Sequence, residues 1–136
     1  MSVAKKTLIL LVPFALAFQA LGCSGTTAAG DPEETRLKCE LTEIYDIYAM
    51  FSKAHRRPPR RLADLNQQQY QGIYPVGVNG LRSGAYIAVW GVNVDDEDTG
   101  KILAYEKNAP ALGGFVLTAD GTVRRMSADD LKAVLK

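Results

Sequence analysis

The sequence predicts an α+β fold: one long N-terminal amphipathic helix packed on a small antiparallel sheet, followed by a short C-terminal helix. Three observations carry this. Between Leu37 and Ala54, apolar side chains recur at alternating steps of four and three, the period of one helix face. From Ala85 onward, short runs rich in β-branched and aromatic residues are separated by Gly, Asn and Asp turn signals. Behind Ser127 the spacing becomes helical again. Helix first and strands afterwards is the order of an α+β chain, in which helix and sheet segregate.

The chain opens on a segment of another kind. Lys5 and Lys6 precede the apolar run Thr7 to Phe18, the layout of an export signal. The run is shorter than the roughly 20 apolar residues that a membrane span needs, and Pro13 interrupts it. Ala20-Leu21-Gly22-Cys23 resembles the lipobox of bacterial lipoproteins, with Ala20 and Leu21 in the reverse of the usual order. The resemblance implies that residues 1–22 are a signal peptide removed on export. It also implies that Cys23 carries lipid on its sulfur and becomes the first residue of the mature chain. Ser24 then implies no retention at the inner membrane, so the protein is expected in the bacterial cell envelope, on the outer membrane facing the periplasm. Residues 23–30, small and polar after the cysteine, read as anchor and flexible tether. Residues 31–136 are the domain.

Removing Lys5 and Lys6 from the 16 basic residues leaves 14 against 15 acidic ones, a mature net charge of −1. No overall charge draws such a chain to nucleic acid, and nucleic acid is not expected as a partner. The expected partners are the membrane, through the anchor, and another envelope protein.

Asp31-Pro32-Glu33-Glu34 is a helix start: Asp31 caps, Pro32 suits the first helical position, and the glutamates favour the positive end of the dipole. Leu37, Leu41, Ile44, Tyr48 and Phe51 form the stripe, widened by Ile47, Met50 and Ala54, with Lys38, Thr42, Asp46 and Lys53 opposite. The helix runs about six turns, roughly 35 Å. Pro58 and Pro59 end it. Leu62 and Leu65 suit a turn folded back on it, and residues 72–84 read as a loop because of Pro75, Asn79-Gly80 and Ser83-Gly84. Strands are expected at 85–94, 102–106 and 115–118. Asp120-Gly121 suits a tight type I′ turn, which sets Leu117 opposite Arg124 and Phe115 opposite Met126. Ser127 caps the last helix, which carries Leu131, Val134 and Leu135.

Two stretches, LTEIYDIYAMFSKAHRRPPRRLADL (41–65) and ILAYEKNAPALGGFVLTADGTVRRMSADDLKAVL (102–135), then resemble the globular domain of type II secretion pseudopilins. In that family an amphipathic helix, a proline and a leucine-bearing turn lead into a sheet closed by an Asp-Gly hairpin. The resemblance implies an α+β domain with a structural or interaction role linked to secretion or pilus-like machinery. It stops short of the N-terminus, where a lipobox replaces the filament-packing helix.

Catalytic signals are few, and no enzyme is expected. His55, the single histidine, lies in line with the apolar stripe and reads as a helix-terminal residue at the core edge. No nucleophile motif, phosphate loop or paired-histidine zinc pattern occurs. Residues 53–61 carry Lys53, Arg56, Arg57, Arg60 and Arg61, either a solvated helix end or a grip on lipid headgroups, lipopolysaccharide phosphates or an acidic partner. Residues 95–106 can be read as a calcium loop with Asp95, Glu97, Thr99 and Glu106 as oxygen ligands around Gly100, but a polar turn between strands is the preferred reading. No other cofactor is expected. Tyr86, Trp90 and Tyr105 are assigned to the core rather than to a groove. Cys39 falls about 160° around the helix from Leu41, on the polar side. It is either an inert thiol or one half of an intermolecular disulfide. A calcium- or anion-binding envelope module is the alternative to the structural role.

Overall fold

The computed structural model describes residues 31–65, 68–94 and 100–136. The leader, Cys23 and the tether lie outside the described residues, as do Asp95, Glu97 and Thr99.

Helix α1 runs Pro32–His55 and starts as its sequence dictates. The Asp31 carboxylate accepts the Glu33 N–H at 3.0 Å, Pro32 follows, and Glu33 and Glu34 fill the first turn. Arg36 pairs with Glu33 and Glu40, and Lys38 with Glu34 at 2.6 Å. Exposed pairs of this kind add about 0.2–0.5 kcal/mol each to a helix. Leu41, Ile44, Ile47, Tyr48 and Phe51 are buried, while Lys38, Cys39, Thr42 and Lys53 are exposed.

The face of α1 packs on a four-stranded antiparallel meander of order β1-β2-β3-β4. The strands are β1 Tyr86–Ala88, β2 Ile102–Glu106, β3 Gly114–Thr118 and β4 Val123–Met126. Leu103, Ala104, Phe115 and Leu117 meet the helix in the main core. On the other side, Ile102, Ala109, Val116 and Leu131 form a smaller cluster under α5 (Ala109–Leu112) and α6 (Ala128–Val134). With both faces covered, β3 is buried at all five positions.

Residues 72–84 are not a loop. After α2 (Leu62–Leu65), α3 (Gln68–Ile73) and α4 (Pro75–Ser83) occupy most of this stretch. Pro75 serves at the start of α4, and Gly84, at φ 74°, ends it. The internal glycines act by contact. The Gly77 N–H donates to Glu43 at 2.8 Å, and a Cβ there would stand 2.9 Å from the Glu43 Cβ. A Cβ on Gly80 would fall 2.6 Å from the Tyr86 ring. Close packing on α1 and β1 overrides a weak helix propensity.

Two strand expectations also change. Regular pairing of β1 ends at Ala88; the Val89 N–H still reaches the Leu103 carbonyl at 2.8 Å before Gly91, at φ 82°, diverts the chain. The hairpin between β3 and β4 has three loop residues, Ala119, Asp120 and Gly121, instead of two. Thr118 N–H bonds the Thr122 carbonyl and Gly121 N–H bonds the Thr118 carbonyl, with Gly121 at φ 82°. This is a type I turn with a glycine bulge. It moves the register by one, so Leu117 faces Val123 and Phe115 faces Arg125. Asp120 drives the choice by accepting from Thr118 Oγ1 at 2.5 Å and from Thr122 N–H at 3.0 Å. In α6, capped by Ser127, Leu131 is buried but Val134 and Leu135 are exposed.

Candidate functional site

The basic stretch is organised by the way α1 stops. Arg57 precedes Pro58, which disfavours a helical conformation at Arg57, so the reversal falls on Arg56. Arg56 caps the helix at φ 53°, ψ 31° and is the one non-glycine residue with positive φ among the described residues. A side chain in this left-handed region costs about 1 kcal/mol or more.

Asp64 gathers part of the positive charge. Its Oδ2 accepts the Arg60 N–H at 2.8 Å and Arg57 Nη1 at 3.4 Å, while Arg61 Nε stands 3.7 Å from Oδ1. Donation from the Arg60 backbone, then from the Arg57 guanidinium, holds the Asp64 carboxyl below the ordinary carboxylate range. Arg57 also lies over the Phe51 ring, 5.0 Å from its centroid. Of the four arginines singled out by sequence, Arg57 and Arg61 therefore share one carboxylate. The side chains of Arg56 and Arg60 have no carboxylate partner among the described residues, and neither has that of Lys53.

Lys53, Arg56 and Arg57 line an open pocket of about 560 Å³ with Ser52, Asn93 and Val94. Among the described residues, three cations and no carboxylate line it. Ser52 Oγ is cut off from solvent and has no hydrogen-bond partner among the described residues. Leaving a buried hydroxyl unsatisfied costs about 1–3 kcal/mol. Chemically, the charged groups lining the pocket among the described residues are all cationic donors. Sequence reasoning reached its arginines but passed over Ser52, although Ser52 and Arg56 stand four apart on one helix face. Asn93 carries no local signal; Gly91 N–H bonding the Pro59 carbonyl at 2.9 Å ties its segment to the helix exit.

Of the other candidates, Asp95, Glu97 and Thr99 lie outside the described residues. Glu106 closes β2, about 13 Å along the strand from Ile102 at 3.3 Å per residue. Its Oε2 accepts the Phe115 N–H at 2.5 Å, a bond between β2 and β3. Among the described residues no group of three or more His, Cys, Asp or Glu could share a metal ion. His55 is exposed and packs on Phe51, with ring centroids 4.2 Å apart. Tyr86 is buried and donates to Glu40 at 2.5 Å; burial first, then that carboxylate, raises its pKa. Trp90 stacks on Tyr48 at 5.8 Å, and Tyr105 is partly buried against the smaller cluster. Cys39 is exposed.

Among the described residues no helix is long and apolar enough to cross a membrane. Compared with protein-family models, curated proteins and solved structures, the chain matches none. The functional reading therefore rests on the chain's own chemistry: an α+β domain whose long helix ends in a pocket lined by Lys53, Arg56 and Arg57.

Proposed function

We propose that this chain is a lipid-anchored cell-envelope protein with a structural or protein-interaction role. Cys23 holds the domain at a membrane face, and the cationic end of α1 meets the partner. The observation that carries the reading is the placement of Lys53, Arg56 and Arg60, three cations without carboxylate partners among the described residues, at the far end of α1 from the tether. The 24-residue helix is about 36 Å long, and the eight residues from Cys23 to Gly30 reach at most about 28 Å. These lengths let the cationic end stand well away from the anchor, where it can meet a neighbour. The order of long helix, proline stop and Asp-Gly hairpin supports kinship with pseudopilin-like domains, and with it a place beside secretion or pilus-like machinery.

Photocrosslinking from position 60 in intact cells tests the reading. A discrete adduct is expected that weakens in Cys23→Ser and in Lys53→Gln/Arg56→Gln. An adduct pattern indifferent to both, or equally strong from Thr122 in the β3–β4 loop, overturns it. The second reading, a module for an anionic ligand, is supported by the positive charge that Lys53, Arg56 and Arg57 bring to the pocket beside Ser52.

A further inference from the structure

We infer that the pocket at the end of α1 binds a phosphate-type anion, with Ser52, Lys53 and Arg56 as its ligands. Three independent features converge on these neighbouring residues. Among the described residues the charges lining the pocket are all positive, and Lys53 and Arg56 have no carboxylate partner there. The Ser52 hydroxyl beside them is buried without a hydrogen-bond partner among the described residues. Arg56 occupies a left-handed cap where glycine is favoured, so the guanidinium is kept at a position that stability alone would give to glycine.

Arg57 is a supporting cation rather than a ligand, because Asp64 at 3.4 Å and the Phe51 ring already hold it. A tetrahedral anion matches this donor set. Its several acceptor oxygens can take a hydroxyl donor, an ammonium and a guanidinium at once. The negative C-terminal end of α1 opposes an anion, but Arg56 turns the chain away there, and unscreened cations within one helical turn outweigh a half-charge. The same chemistry serves a free phosphate or a phospholipid headgroup.

The inference rests on the reading of this helix end as the working surface, yet the two fail separately, one in purified protein and the other in crosslinked cells. The full chain in neutral detergent is titrated with inorganic phosphate, against chloride at equal ionic strength, by calorimetry and thermal unfolding. Saturable binding and a rise in Tm are expected with phosphate. Arg56→Gly is expected to raise the basal Tm and weaken phosphate about tenfold, the loss of one charge-assisted contact. Ser52→Ala and Lys53→Gln should also weaken binding, while Arg124→Gln on exposed β4 leaves it unchanged. A second arm sediments the unlipidated Cys23→Ser chain with phosphatidylglycerol or phosphatidylcholine vesicles. Retention on phosphatidylglycerol alone, lost in Arg56→Gly, assigns the headgroup; phosphate binding without retention assigns the free anion. No saturable response in either arm, or one that Arg56→Gly and Arg124→Gln diminish equally, overturns the inference.

Discussion

At Arg56 the backbone takes φ 53°, a conformation glycine adopts freely and other residues resist. Arg56→Gly is therefore expected to raise the unfolding free energy by about 1 kcal/mol at unchanged m-value in urea, whereas Arg56→Ala gains nothing. Asp64 sets a second residue-level expectation. Its pKa is lowered from the ordinary 3.8 by the Arg60 N–H and then by Arg57. A carboxyl depressed on folding contributes stability that is complete above its unfolded pKa and is lost as pH falls through the folded value. The decline at Asp64 thus begins near pH 3.8 and continues below it, and Asp64→Asn should flatten that part of the stability–pH curve. An NMR titration placing the Asp64 midpoint at or above 3.8 contradicts the account. Sequence alone places the helix stop, because Pro58 constrains Arg57. It does not place the reversal on Arg56, since the usual signal for such a cap is glycine or asparagine. The salt-bridge sharing at Asp64 was equally hidden, because it depends on how α2 folds back.

At the scale of elements, α1 and the strands β2 and β3 were legible because their apolar spacing is long or their residues are rich in β-formers. Helix α4 was not. Its Pro, two Gly and Asn have the local chemistry of a turn, and only contact with α1 and β1 makes it helical. Two glycines separate propensity from packing. A Cβ on Gly72 in α3 meets nothing within 4 Å, so Gly72→Ala should stabilise by about 0.5–1 kcal/mol. Gly77→Val forces its side chain onto Glu43 and the α1 backbone and should cost about 1–3 kcal/mol, read by urea denaturation. Equal and small effects at both positions defeat the packing explanation. The hairpin register failed for a similar reason. Asp-Gly marks the turn, but Asp120 accepting from Thr118 and Thr122 selects a three-residue loop. Glu106 shows the same rule at the far end of β2. Its carboxylate accepts the Phe115 N–H, so Glu106→Ala should destabilise by about 1–3 kcal/mol, and millimolar calcium should leave Tm unchanged. A calcium-dependent rise in Tm that Glu106→Gln abolishes reverses that reading.

Across the whole molecule, the cationic helix exit and the proposed anchor carry the expectations. A sheet covered by α1 on one side and by α5 and α6 on the other leaves the helix exit as the place where cations gather, with Asp64 meeting only part of their charge. The arginines of that exit were visible as a charge run, whereas the pocket was not, because Asn93 and Val94 arrive from beyond β1. The two cysteines test the arrangement from its other end. If lipid occupies the Cys23 sulfur as a thioether, that atom cannot join a disulfide, and Cys39 is the chain's remaining thiol. Cys39 lies exposed on α1, away from the buried stripe. Mass analysis of the mature chain is expected to show a di- or triacylated Cys23. In the same sample Cys39 should alkylate completely without denaturant. Each acyl CH₂ buried contributes about 0.8 kcal/mol, so two or three chains suffice for stable anchoring. Non-reducing electrophoresis of envelope fractions, with thiols blocked at lysis, then separates the states of Cys39. Monomer alone with full alkylation marks an inert surface thiol, and a reductant-sensitive band absent in Cys39→Ser marks a bridge across the polar face of α1. An unmodified N-terminus between Ala20 and Gly30 removes the anchor. It also frees Cys23 to pair with Cys39, which would draw the tether back along the first two turns of the helix and away from any membrane.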